Sequence, residues 1–362
     1  MKIAIIGTRG IPNNYSGFEQ FAEYLSQHLV KSGHEVFVYN SHNHIYQEKQ
    51  WRGVNIIHKW DPEYLIGTFG QFIYDFNCIW ESRGRKYDII LQLGYTSSSI
   101  WGWLLPKKPV IFSNMDGLEW KRSKYSKNVR SFLKYAEKLA IKTSDYLISD
   151  SLGIQKYLKK EYGCDSEYIA YGAELFDNPS EQIIKQFNVE KGQYNMLVAR
   201  FEPENNLEMI LDGVVSSENN QTFLVVGKHE TKFGEHLKRK FKAHRNIRFL
   251  GGIFNIEYLN NLRYWSNLYF HGHSVGGTNP SLLEAMASNC LILAHENDFN
   301  KGVLGIDAMY FASSEDVSKL MSLRKSDFLQ FIENNRKKID NQFRWCLINQ
   351  KYEDYMCGKV LS

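Results

Sequence analysis

Apolar residues along this chain come in short unbroken runs, each followed by a polar or glycine-rich turn and then by apolar positions at helical spacing. Lys2–Ile6 is the first such run and reads as a strand buried on both faces. From Phe18 to Lys31 the positions Phe18, Phe21, Ala22, Leu25 and Leu29 share one helical face, and Gly33 is the expected stop. Further strands are predicted at Val36–Tyr39, Val54–His58, Asp88–Gln92, Val110–Ser113, Tyr146–Ser151 and Tyr168–Gly172, with helices at Phe69–Glu81 and Ser97–Leu105. A polar stretch, Ala173–Asn188, suits a linker. A second βα series follows, with strands at Asn195–Ala199, Gln221–Gly227, Ile247–Leu250, Asn267–Phe270 and Leu291–Ala294, then a helical tail over Asp327–Tyr355.

At 362 residues the chain exceeds one ordinary core, so two domains are expected. The boundaries are placed at 1–175 and 176–340, with 341–362 a terminal helix packing back on the first domain. Both domains are α/β, doubly wound and Rossmann-like. The first turn, Gly7 to Pro12, lacks the G-x-G-x-x-G spacing, and no acidic residue closes the second strand. A dinucleotide reading of that half is therefore weak.

Composition narrows the class without choosing a function. A net charge of +4 is too small to argue for nucleic acid as partner. The five cysteines lack C-x-x-C spacing, which points away from zinc and a disulfide framework and fits a reducing compartment. The start runs straight into a strand, and no apolar run approaches the roughly 18 residues of a membrane span, so a cytoplasmic location is expected.

Candidate chemistry gathers at strand ends. After Leu268-Tyr269-Phe270 comes the turn from His271 through Gly276 and Gly277 to Thr278 and Asn279, with Pro280 opening a helix. Free backbone N–H groups and the positive end of a helix dipole there make an anion site suited to phosphate. Glu284, about one turn into the helix, is placed to bind the vicinal hydroxyls of a ribose. The plainer reading is a strand–helix turn with Glu284 on the surface. Arg200, at another strand end, suits a pyrophosphate clamp, and Gly251 presents bare backbone to a nucleobase edge. In the first half, Gly17 permits close backbone approach to a ligand. Glu19 either faces that ligand or complements the helix dipole, and Asp116 is an acid/base candidate or a simple turn residue.

Lys121, Arg122, Lys124, Lys127, Arg130, Lys134, Lys138 and Lys142 lie on one amphipathic stretch, Lys121–Lys142, against the single acid Glu137. It reads either as a membrane-facing basic helix or as a solvated helix face.

Several motifs together resemble the retaining family 4 glycosyltransferases of the GT-B fold, which has two Rossmann-like domains facing each other across a cleft. They are Ser16-Gly17-Phe18-Glu19, Val198-Ala199-Arg200 with Pro203, Arg248-Phe249-Leu250-Gly251, and Gly276 through Met286. The wording of Gly7–Pro12, Asn114–Trp120 and Glu202–Asn206 is similar to the bacterial rhamnosyltransferase subgroup of capsule and exopolysaccharide synthesis. The resemblance implies that Arg200 holds the donor diphosphate, Glu284 the ribose, and Thr278 and Asn279 phosphate through their N–H groups. It implies transfer of a sugar, rhamnose from dTDP-rhamnose, to a lipid-linked oligosaccharide at the inner face of an anionic membrane, without cofactor or metal. Two positions depart from the family. Gly276 stands where most members carry a donor-orienting glutamate, and Asn205 and Asn206 stand where most carry a lysine. Lys228 is then the candidate second cation. A nucleotide-sugar epimerase or phosphorylase, and a non-catalytic nucleotide-sugar-binding protein, are the competing readings.

Overall fold

The computed structural model describes residues 1–14, 17–115, 117–122 and 125–361. Asp116, Ser16 and Lys124 lie outside the described residues. The chain divides into two compact units, one of residues 1–120, 125–171 and 345–362, the other of residues 121–124 and 172–344.

The first unit is built on eight strands: β1 (Lys2–Ile6), β2 (Glu35–Ser41), β3 (Gln50–Trp51), β4 (Val54–Lys59), β5 (Ile89–Leu93), β6 (Val110–Asn114), β7 (Tyr146–Ser149) and β8 (Glu167–Tyr168). Their order is β3-β4-β2-β1-β5-β6-β7-β8. All neighbours are parallel except the short edge strand β3, which runs antiparallel to β4. The continuous apolar runs follow from this arrangement, since strands covered by helices on both faces have no polar face to show. Every residue of β5 is buried.

The second unit holds β9 (Tyr194–Val198), β10 (Thr222–Val226), β11 (Ile247–Gly251), β12 (Tyr269–His271), β13 (Ile292–His295) and β14 (Met309–Phe311), ordered β11-β10-β9-β12-β13-β14 and parallel throughout. Leu197, Phe223, Phe270, Leu293 and Phe311 are at most 1% exposed in its core. Each such side chain contributes about 1.5–3 kcal/mol by leaving water. The strand order reverses between β9 and β12. Connections leave these two strands in opposite directions, so a crevice opens beyond their carboxyl ends.

Four local expectations are corrected. The helix expected from Lys121 begins at Lys127, because Ser126 adopts extended backbone and caps it by accepting from the Val129 N–H at 3.4 Å. Lys121 belongs instead to a one-turn 3₁₀ segment, Glu119–Lys121. The strand expected over Tyr168–Gly172 pairs only through Glu167–Tyr168. Ser97–Leu105 is a 3₁₀ segment, Ser99–Leu104, closely covered by Thr143 at Gly102. The helical tail is interrupted: Leu329–Lys338 runs into a π-turn, and Arg344 is extended before the helix Trp345–Leu361.

That last helix belongs to the first unit. Trp345, Ile348, Tyr352 and Met356 are its buried apolar residues. Trp345 stacks on Tyr24 at 4.5 Å between ring centroids, Tyr352 meets Phe21 at 4.7 Å, and the Tyr352 hydroxyl accepts from Asn114 Nδ2 at 2.8 Å.

Candidate active site

Two loops of the second unit are tied together at the β9/β12 reversal. After β9 the Arg200 carbonyl accepts from the Glu202 N–H and from Asn205 Nδ2, both at 2.8 Å. Asn206 sits at φ 52°, opens the helix Leu207–Ser216, and donates from Nδ2 to the Gly272 carbonyl at 2.8 Å. The Glu204 carbonyl accepts from the Ser274 N–H at 3.1 Å and the Ser274 hydroxyl at 2.7 Å. Gly272 is required here, because a Cβ on it would lie 2.1 Å from the Asn205 carbonyl oxygen. Of Asn205 and Asn206, where the family resemblance expects a lysine, Asn206 is thus a strut between the two loops and Asn205 braces the first loop on itself. Arg200 keeps an exposed side chain, because only its carbonyl is engaged by that brace.

The turn after β12 delivers the helix Pro280–Ala287. Asn279 caps it by accepting from the Ser281 N–H at 2.9 Å, and Pro280 occupies the first position, where no N–H is needed. Thr278 is buried, and Gly276 lies at φ 137° with open space around it. A side chain at Gly276 would meet no steric wall but would be strained by the backbone.

Glu284 is fixed by a residue that the sequence reading missed. Arg263, on the helix Ile256–Trp265, has a fully buried side chain, and its Nη1 stands 2.7 Å from Glu284 Oε2. The guanidinium also donates to Asn260 Oδ1 at 2.9 Å and to the Ser281 hydroxyl at 3.0 Å, which lies 2.9 Å from the Tyr269 hydroxyl. Burial disfavours the Arg263 charge, but Glu284 more than offsets it, so its pKa is raised. Glu284 Oε1 has no partner among the described residues, and the side chain remains 19% exposed. One carboxylate oxygen is clamped and the other is available.

His271 and His273 stack at 4.4 Å. Burial, then the neighbouring His273 and Arg263 charges, hold His271 well below the usual histidine range. Burial, then the charges of Arg200 and Arg122, push His273 down to about 3. Both rings are neutral at pH 7, so they do not compete with an anion for Arg200. The only sequence signal for this pair is its H-G-H spacing at a strand end.

The remaining candidates are placed as follows. Lys228 is exposed, with its ammonium over the Phe254 ring at 5.1 Å, at the carboxyl end of β10. Gly251 closes β11 at φ 76°, its carbonyl accepting from the Gly227 N–H at 2.9 Å. In the first unit, Gly17 opens its helix and its carbonyl accepts from the Tyr171 hydroxyl. Glu19 is buried, and its Oε1 accepts from the Arg9 N–H at 2.7 Å and the Thr8 hydroxyl at 3.1 Å, bracing the loop after β1. Lys134 is withdrawn from the basic face. Its ammonium lies 3.4 Å from buried Glu137 and over the rings of Trp120 at 4.4 Å and Tyr157 at 4.7 Å.

Residues 107–174 match a family described as a domain of unknown function (DUF1972). No curated protein matches the chain in sequence. Among solved structures, sucrose-phosphate synthase from Thermosynechococcus elongatus is 16% identical, with 100% of both chains covered and a TM-score of 0.79. Anabaena HepE in complex with UDP and glucose is 13% identical, covering 98% of this chain and 99% of its own, with a TM-score of 0.77. WaaG, a glycosyltransferase involved in lipopolysaccharide biosynthesis, is 13% identical, covering 99% and 100%, with a TM-score of 0.71. The likeness is one of fold: two Rossmann-like parallel-sheet domains, the GT-B fold of glycosyltransferases.

Proposed function

We propose that the protein is a glycosyltransferase that moves a sugar from a nucleoside diphosphate to an acceptor hydroxyl with retention at the anomeric carbon. The observation that carries this reading is the Glu284 carboxylate, clamped on one oxygen by buried Arg263 and open on the other, one turn inside a helix whose N-terminus follows a glycine-rich turn. The free oxygen accepts from a ribose hydroxyl. The helix N-terminus and Arg200 take up charge on the departing diphosphate, so no further cofactor is called on for that step. HepE binds UDP and glucose in its solved complex, which supports a nucleotide sugar as the ligand class. A 6-deoxy donor such as dTDP-rhamnose fits Gly276 in place of the donor-orienting glutamate. Asp116 and Glu19 are retained as acceptor-side candidates, Glu19 through the loop it braces.

Calorimetry with UDP-glucose and dTDP-rhamnose tests the donor. Glu284→Gln removes the charge from the ribose hydrogen bond, and the expected loss is about 1.5–3 kcal/mol, roughly ten- to a hundredfold in affinity. Unchanged donor binding in the variant makes Glu284 a structural partner of Arg263 only.

The acceptor is proposed to be a lipid-linked oligosaccharide, reached from the inner face of an anionic membrane. Lys127, Lys138 and Lys142 are exposed on the helix Lys127–Thr143, with Arg130 half-buried beside them. An apolar lobe continues from that helix: Phe132 meets Phe72 at 5.8 Å, and Phe72 meets Phe69, which is 76% exposed, at 6.4 Å. Leu65 in the same lobe is 65% exposed. Among the described residues no helix is long and apolar enough to cross a membrane. Cationic side chains beside an exposed apolar lobe suit a bilayer surface. Each Lys near an anionic surface contributes about 1 kcal/mol, so reversing Lys127, Lys138 and Lys142 to Glu is expected to lower binding to phosphatidylglycerol vesicles by more than about a hundredfold at low salt. Wild-type protein that stays in the supernatant at low salt would point to a soluble acceptor instead.

A further inference from the structure

Away from that site, the first unit has a groove of about 800 Å³ between the end of β4 and the second half of the helix Phe69–Ser82. His58, Lys59, Trp60, Asn77, Trp80 and Arg83 line it. Two indoles open onto it, Trp60 at 50% and Trp80 at 58% exposure. A tryptophan left half in water forgoes much of the burial that usually retains it, so two on one groove point to a ligand surface.

Their surroundings are ordered. The Trp60 carbonyl accepts from Asn77 Nδ2 at 2.9 Å. The Trp80 ring stacks on Phe76 at 6.0 Å with an 18° interplanar angle, and the Arg83 guanidinium lies 5.7 Å from the Trp80 ring centroid. Arg83 is itself held by donating from Nη1 to the Leu104 carbonyl at 2.6 Å. Flat indoles flanked by amide, imidazole and cationic groups match a pyranose, whose C–H face packs on the ring while its hydroxyls reach the polar groups around it.

Charge selects among saccharides. Lys59 and Arg83 form no ion pair among the described residues. Glu81, the acid on the groove, is committed to Arg85 Nε at 2.7 Å and to the Tyr39 hydroxyl. The groove is therefore left with uncompensated positive charge.

We propose that this groove binds an oligosaccharide bearing carboxylate groups, with its rings on Trp60 and Trp80 and its carboxylates at Lys59 and Arg83. In the transferase reading it holds a saccharide portion of the acceptor. That role rests on the reading above, whereas the binding itself does not.

The full-length protein is titrated by calorimetry with a galacturonic acid tetramer and, separately, with a neutral glucose tetramer, and UDP-glucose is titrated as an independent check on the donor site. The acidic tetramer is expected to bind at least about tenfold more tightly than the neutral one, with the preference weakening as salt rises. Trp60→Ala and Trp80→Ala should each weaken it by about tenfold or more, the scale of a lost aromatic contact in a polar site. Lys59→Gln with Arg83→Gln should remove the acidic preference while UDP-glucose binding stays at the wild-type value. Equal affinity for the two tetramers, no binding at millimolar concentration, or indifference to both tryptophan variants overturns the proposal. A protein that binds the acidic tetramer but no nucleotide sugar leaves the groove standing and removes the transferase reading. The converse result removes only the groove.

Discussion

Replacing Arg200 with Ala is expected to leave the protein folded and to remove most of its turnover. The fold should survive because the side chain is exposed, while the loop brace uses the Arg200 carbonyl, which any residue supplies. Turnover should fall because charge builds on the diphosphate as the glycosidic bond breaks, and a cation in the crevice stabilises that state more than the bound donor. Loss of one such contact costs about 2–4 kcal/mol, roughly thirty- to a thousandfold in rate. The assay follows radiolabelled sugar from nucleotide donors into a membrane-lipid extract, with denaturation midpoints as a control. A variant that transfers at the wild-type rate would remove Arg200 from the mechanism. Arg200→Lys separates charge from geometry, because Lys keeps the charge but loses the bidentate fork, and intermediate turnover is expected.

Arg263→Met should give the largest stability loss among the site substitutions. The guanidinium is fully buried and serves Glu284, Asn260 and Ser281 together, so Met leaves a half-buried carboxylate without its cation. Removing one member of a buried pair costs about 3–5 kcal/mol, and the lower end applies because Glu284 retains some contact with water. The measurement is urea unfolding followed by far-UV circular dichroism. A double-mutant cycle with Glu284→Gln should recover part of the loss, since the charge left unpaired is then absent. Stability within about 0.5 kcal/mol of wild type for Arg263→Met would show that the pair contributes little. Under the proposed function donor affinity should fall as well, because an unclamped Glu284 is free to turn away from the position proposed for the ribose.

The parts of the site legible in the chain were those with local causes. Asn279 as cap, Pro280 at the first helical position and Glu284 one turn later form a helix start whose geometry depends on neighbouring residues only. Arg200 at a strand end was equally local. Arg263 was not legible, because one arginine on a polar helix ordinarily lies in water. Only the packing of the helix Ile256–Trp265 beside Pro280–Ala287 buries it. The basic stretch was legible only in part, for the opposite reason. Counting charges from Lys121 to Lys142 treated them as one surface, whereas the chain enters its helix only at Lys127 and Lys134 turns inward to Glu137 and three aromatic rings.

By itself the sequence determined the alternation of apolar strands with amphipathic helices, and with it two parallel α/β sheets. Strands covered on both faces must be apolar throughout, and that pattern survives in one dimension. It also determined where the helix Pro280–Ala287 begins, since capping is decided within a few residues. Tertiary structure alone decided which groups face each other across sequence distance. Asn206 became a strut to Gly272, Arg263 became the clamp on Glu284, and Trp60 and Trp80 came to line one groove. Each depends on strand order and helix packing, and the free energy of a long-range contact leaves no periodic trace along the chain.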